Sequence, residues 1–160
     1  MAKKTKKPAN PNHRLISNNR RAKHDYEILE TFEAGIELVG SEVKSLRGGN
    51  VTFGDSHIGF DKEQAYIYDL FIPEYVFSNQ FNHAPTRVRR LLMKKGEILR
   101  LMGKVKVGGL ALIPLQLYFN KSWVKLEFAL ARGKKQHDKR ESLKAADAKR
   151  EMARAKATDY

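Results

Sequence analysis

Hydrophobic and polar positions alternate most regularly late in the chain. Apolar residues crowd positions 110–119, Asn120 and Lys121 interrupt them, and over 122–131 Val124, Leu126, Phe128 and Leu130 fall on one face. Successive side chains of a strand point to opposite faces, so the pattern predicts two antiparallel strands joined by a tight turn. Pro114 has no N–H to donate, which predicts an edge or a bulge there. Upstream, Tyr26, Ile28, Glu30 and Phe32 share a face with period two, Ala34 and Gly35 permit a turn, and residues 36–40 read as the return strand of a hairpin. The stretch SEVKSLRGG predicts a short helix, with Ser41 as its cap, Glu42 at its positive end and Gly48 and Gly49 as its stop. Strands are expected at 51–53, 56–60 and 65–72. Thr86 is expected to open a helix with Val88, Leu91 and Leu92 inward, and a second helical turn after Gly96 offers Ile98, Leu101 and Met102.

Short strands at roughly ten-residue spacing, interrupted by short helices, predict a mainly β fold. The expected form is a small antiparallel β-barrel of the oligonucleotide-binding (OB) type, ahead of a sandwich. Both ends lack such patterning. Residues 1–18 combine lysines with Pro8 and Pro11 and predict a flexible basic arm, with order beginning near Asn19. Residues 19–132 would form the barrel. Residues 133–160 would form a basic tail whose only large apolar residues, Leu143 and Met152, make no stripe for the body to hold. That tail is expected to be disordered when free. Folded as a helix, about 27 residues would span about 40 Å.

Charge changes the picture once it is located. The formal net charge is +13, yet residues 24–131 hold thirteen basic and thirteen acidic side chains. The excess therefore sits at the two ends, the footprint of arms that follow a polyanion. Nucleic acid is the leading partner. A membrane surface is disfavoured because neither end pairs its charge with a face of large apolar residues. Without an apolar leader or span the chain is expected to be cytoplasmic, and a monomer is expected. The absence of cysteine excludes disulfides, thiolate metal sites and cysteine nucleophiles.

The remaining chemistry points to binding. Five dispersed histidines show no ligand spacing, so no metal or cofactor is expected, and no enzymatic activity either. Asp55, Ser56 and His57 hold the residue types of a hydrolase triad but are strand neighbours that point apart. NNRRAKHDY instead packs Asn19, Arg20, Arg21, Lys23, His24 and Tyr26 into eight residues, a set of phosphate donors, base-edge readers and stacking rings. A second basic region runs from Arg87 to Lys106, as RNA contact or as a solvated helical face. Against it stands residues 25–42, with six acids and no base. An electrically two-sided body is the expected result.

Four blocks in order, NNRRAKHDYEILETFEAGIELVGSEVKSLRGG, TRVRRLLMKKGEI, ALIPLQLYF and GKKQHDKRE, resemble the SsrA-binding protein family, also called small protein B (SmpB), bacterial partners of transfer-messenger RNA (tmRNA). The resemblance implies an OB-type barrel and a non-enzymatic adaptor of trans-translation, the rescue of stalled ribosomes. It implies that the tRNA-like domain of tmRNA is gripped through Asn19, Arg20, Lys23, His24, Glu33 and Lys125. It further implies that Gly133, Lys134, Lys135, His137, Asp138, Lys139 and Arg140 belong to a tail that enters the vacant messenger channel beside small-subunit rRNA and folds there as a helix. Thr52, His57 and Lys121 depart from the family's usual asparagine, tyrosine and glycine. A general ribosome-associated OB-fold RNA-binding protein or RNA chaperone is the alternative.

Overall fold

The computed structural model describes residues 12–78 and 82–158. Its strands are β1 (His13–Asn18), β2 (Tyr26–Ile36), β3 (His57–Asp61), β4 (Gln64–Tyr68), β5 (Arg89–Leu92), β6 (Leu110–Asn120) and β7 (Trp123–Gly133). Its helices are α1 (Arg20–Asp25), α2 (Gly40–Arg47), α3 (Lys95–Lys106) and α4 (Gln136–Thr158). All pairings are antiparallel, in the order β1-β6-β3-β4-β5-β2-β7, and β7 pairs back onto β6. Six strands thus close on themselves and β1 lies along the outer half of β6. The ring removes the sheet edges that an open sheet would expose.

The β6–β7 hairpin follows the sequence pattern. Val124, Leu126, Phe128 and Leu130 are buried inside the ring with Leu112, Leu117 and Phe119. Lys121 takes the turn at φ 57°, a left-handed conformation that costs a side-chain-bearing residue about 1 kcal/mol more than glycine. The register shifts between Pro114 and Gln116, the bulge expected of a proline without an N–H.

Four expectations are corrected. Residues 13–18 do not belong to a flexible arm: β1 pairs with β6, and His13 stacks on Tyr118 at 4.1 Å. Residues 26–40 are not a hairpin, because β2 runs straight through Ala34 and Gly35 between β7 and β5. Residues 89–92 are not helical: Arg89 and Leu91 are buried while Val88 and Leu92 are exposed, the alternation of a strand. Residues 51–53 form only a single bridge, Thr52 to Phe71. Residues 1–11 of the expected arm lie outside the described residues.

The tail, expected to be disordered when free, forms the helix α4. It is rich in alanine, lysine, arginine and glutamate, all strong helix formers. Its described side chains are nearly all exposed. Among the described residues, no helix is long and apolar enough to cross a membrane.

Candidate nucleic-acid interface

The bulge at Pro114 builds the start of the site. It leaves the carbonyls of Pro114 and Leu115 turned toward β1, and Asn19 takes both: its amide nitrogen donates to Pro114 at 2.9 Å and its N–H to Leu115 at 2.7 Å. So anchored, Asn19 opens α1 without capping it through its side chain. One turn and a half of helix then lies on the outside of the ring. Ala22 seals a second, outer apolar cluster with Ile113, Leu115, Ala129 and Ala131, flanked by Tyr26 and Ile28. Arg20, Lys23 and His24 are left in solvent.

The same outer face continues as rows of paired residues. Asn18 pairs with Gln116, Gln116 with Glu127 and Glu127 with Glu33, one transverse row over four strands. The next row runs Leu15, Tyr118, Lys125, Gly35 and Leu92. A register shift in β2 between Ile28 and Glu30 keeps Glu33 on this side while Phe32 turns in to meet Phe128 at 5.6 Å. Tyr118 donates its hydroxyl hydrogen to Glu33, Gln116 donates to Glu127, and Lys125 Nζ stands 3.9 Å from Glu33 Oε1. Burial, with the hydrogen bond to Glu33, pushes the Tyr118 phenol well above its usual pKa, so it remains a donor. The fold therefore places Asn19, Arg20, Lys23, His24, Glu33 and Lys125 on one side of the ring.

Gln116, Tyr118, Glu127 and His13 belong to this face and were not singled out in the sequence. Their signal was available only in part: Gln116, Tyr118 and Glu127 occupy the outward parity of the strongest hairpin, but the row, and the pairing that brings His13 of β1 onto Tyr118, need the register.

The second basic region is spent inside the protein. Arg89 is fully buried and donates to Glu42 at 2.7 Å and to the Leu70 carbonyl at 2.7 Å. Arg87 reaches Glu42 at 2.8 Å, Arg90 reaches Glu37 at 2.9 Å, and Arg100 and Lys104 reach Glu30 at 3.4 and 2.5 Å. Glu30, Glu37 and Glu42 thus pair with five of the bases of 87–106, so the expected two-sided body is corrected to one whose two charged segments largely meet. Asp55, Ser56 and His57 form no relay either. Ser56 Oγ is buried without a partner, and His57 Nδ1 faces the Asp55 carbonyl at 3.3 Å and Asp69 at 3.9 Å.

The tail leaves beside α1. Gly133 is still in β7, paired with Tyr26. Lys134 donates its N–H to the Asp25 carbonyl at 3.0 Å and its Nζ to the Lys23 carbonyl at 3.0 Å, occupying the orphan carbonyls at the end of α1. Lys139 lies 3.7 Å from Asp25. The hydrogen bond that His24 Nδ1 donates at 2.8 Å, with Lys139 and Arg21 adding, holds the Asp25 carboxyl below its usual range despite partial burial. Lys135 accepts the Lys139 N–H through its carbonyl, and Arg140 is exposed. His137 and Asp138 fall in the first turn of α4, and their side chains lie outside the described residues.

A closed antiparallel ring that carries a short basic helix on its outside, at the root of a basic tail, defines an OB-type barrel with a candidate polyanion-binding side. The model of the SmpB protein family matches residues 16–158. The chain is 53% identical over 142 residues to the SsrA-binding protein of Pelotomaculum thermopropionicum, covering 89% of this chain and 93% of that one. It is 49% identical to the SsrA-binding protein of Mycolicibacterium gilvum, covering 96% and 93%. A solved chain described in work on tmRNA–SmpB and the centre of the bacterial ribosome superposes with a TM-score of 0.65 at 47% identity, covering 79% of this chain and 93% of that one. The chain belongs to the SmpB family of SsrA-binding proteins.

Proposed function

We propose that this chain is an RNA-binding adaptor of trans-translation. Its barrel holds the tRNA-like domain of tmRNA, and its tail probes the vacant messenger channel of a stalled ribosome. The observation that carries the reading is the division of charge. Five of the eight basic residues of 87–106 pair with Glu30, Glu37 or Glu42, while Arg20 and Lys23 of α1 meet no carboxylate among the described residues. They lie on the same outer side of the ring as the Tyr118–Glu33–Lys125 group.

The roles follow from chemistry. Arg20 and Lys23 take phosphate oxygens, which sets register and supplies affinity that falls with salt. His24 and Tyr118 offer a ring and a hydroxyl. Glu33 cannot attract phosphate; it accepts hydrogen bonds from base or sugar groups and orients Lys125 and Tyr118. Gly133, Lys134, Lys135, His137, Asp138, Lys139 and Arg140 form the exit and first turn of the probe. There an imidazole can stack on an rRNA base and the mixed charges can pair with RNA.

The test separates the two parts. Asp138→Ala, Lys139→Ala and Arg140→Ala together are expected to leave affinity for the tRNA-like RNA within about twofold while abolishing tagging of peptides from stalled ribosomes. Loss of RNA binding would refute the division of labour. Equal affinity for unrelated structured RNA at physiological salt would refute recognition of tmRNA.

A further inference from the structure

Trp123 is the only tryptophan of the chain, yet it is 74% exposed. It opens β7 with the same parity as Lys125 and Glu127, so its indole belongs to the outer face described above. In the neighbouring row, Gly35 stands between Lys125 and Leu92. A Cβ on Gly35 would come within 3.2 Å of the Leu92 Cβ, so only glycine leaves room there without displacing Leu92. Leu92 packs its side chain over the bare backbone of Gly35. Around it lies a groove of about 570 Å³ lined by Gly35, Leu38, Val43, Leu92, Trp123 and Lys125 among others. Leu92 is 50% exposed on one wall.

An indole held in water, an aliphatic floor and a single cation at the rim are what a flat aromatic ring attached to an anion requires. We propose that Trp123 and the groove beside it form a subsite for one unstacked nucleobase of the bound RNA. The base stacks on the indole over Gly35 and Leu92, and Lys125 meets the adjoining phosphate. Base–aromatic stacking tolerates any base because every base has a π face. Lys125 is paired with Tyr118 in its row and stands 3.9 Å from Glu33 Oε1 of the adjacent row, so the groove is continuous with the RNA face. Glu37, at the far lip, is held by Arg90 at 2.9 Å and does not repel the ligand as a bare charge would. The inference rests on the adaptor reading given above.

The lone tryptophan is its own reporter. The full chain is titrated with tRNA-like domain RNA while indole emission is followed, and binding is measured separately by gel mobility. Saturating RNA is expected to quench the emission. Trp123→Ala is expected to weaken binding about 5- to 150-fold, the range of one base–aromatic stack, with an unchanged salt slope because no phosphate contact is lost. Trp123→Phe is expected to recover most of the affinity, and far-UV circular dichroism checks that both variants fold. Unchanged emission at saturation together with wild-type affinity for Trp123→Ala overturns the subsite and leaves the adaptor reading standing. Quenching by ribosomes or a protein partner but not by RNA overturns it as well. Absence of any binding to the tRNA-like RNA removes both readings.

Discussion

Arg89 Nε lies 2.7 Å from Glu42 Oε1 although neither side chain reaches solvent. Glu42 also accepts from Arg87 and from the Val39 N–H at 3.0 Å, so every oxygen of the buried carboxylate is used. The pair ties the start of α2 to β5. Removing one partner leaves the other charged in a dry site. Arg89→Met is therefore expected to destabilise the chain by about 3–5 kcal/mol. Arg89→Met with Glu42→Leu is expected to regain much of that loss, since no buried carboxylate then lacks its partner. Urea unfolding followed by circular dichroism measures both.

Acid should find the same carboxylates. Burial alone would raise Glu42, but hydrogen bonds from Arg87, the Val39 N–H and Arg89 outweigh it and leave its pKa below the ordinary 4.5. Asp25 is likewise below its ordinary 3.8, through His24 first. A carboxyl depressed in the folded state binds its proton first in the unfolded chain. Its contribution is full above the unfolded pKa and is lost as pH falls through the folded one. Urea midpoints are expected to be level from pH 7 to about pH 5 and to fall steeply below about pH 4.5. Glu42→Gln is expected to start lower and fall less steeply.

Salt distinguishes solvent-facing cations from spent ones. Arg20→Ala or Lys23→Ala is expected to weaken RNA binding and to reduce the slope of log K against log salt by about 0.7–0.9 per residue. Arg90→Ala, whose guanidinium is held by Glu37, and Lys95→Ala, whose amine is 3.2 Å from Glu63, are expected to leave the slope unchanged. Filter binding at four salt concentrations separates the two sets.

The tail offers a residue-by-residue test. Beyond its foot on α1, α4 has no described packing, with Met152 67% exposed, and single helices of this length are marginal in water. In the free chain, amides past residue 145 are expected to exchange at nearly unfolded rates, while those of Lys134 and Lys139 are slowed. Ribosomes carrying tmRNA are expected to protect the whole segment, as read by hydrogen exchange.

Local pattern sufficed where the structure is local. The β6–β7 hairpin was legible because its buried parity repeats within one strand, and Pro114 announced its bulge. Arg89 defeated the reading of β5. Val88, Leu91 and Leu92 have helical spacing, and the strand becomes visible only when an arginine is allowed inside. Its warrant, Glu42, lies 47 residues away. Gly35 misled for a related reason, since it makes room for Leu92 rather than turning the chain. Asn19, Arg20, Lys23 and His24 could be read as one basic cluster. That Glu33 and Lys125 lie on the same outer side could not, because the rows that carry them run across four or five strands.

The foot of α4 gives the protein a mechanical property. Lys134 and Lys139 fasten the tail to the last turn of α1, and the 23-residue helix then extends about 34 Å. With so short a base and so long an arm, a tilt of about 10° at α1 sweeps the far end through about 6 Å, more than one helical turn. A shift of α1, the proposed RNA contact, is thereby magnified at the tip, and the orientation of a bound RNA would become the aim of the probe.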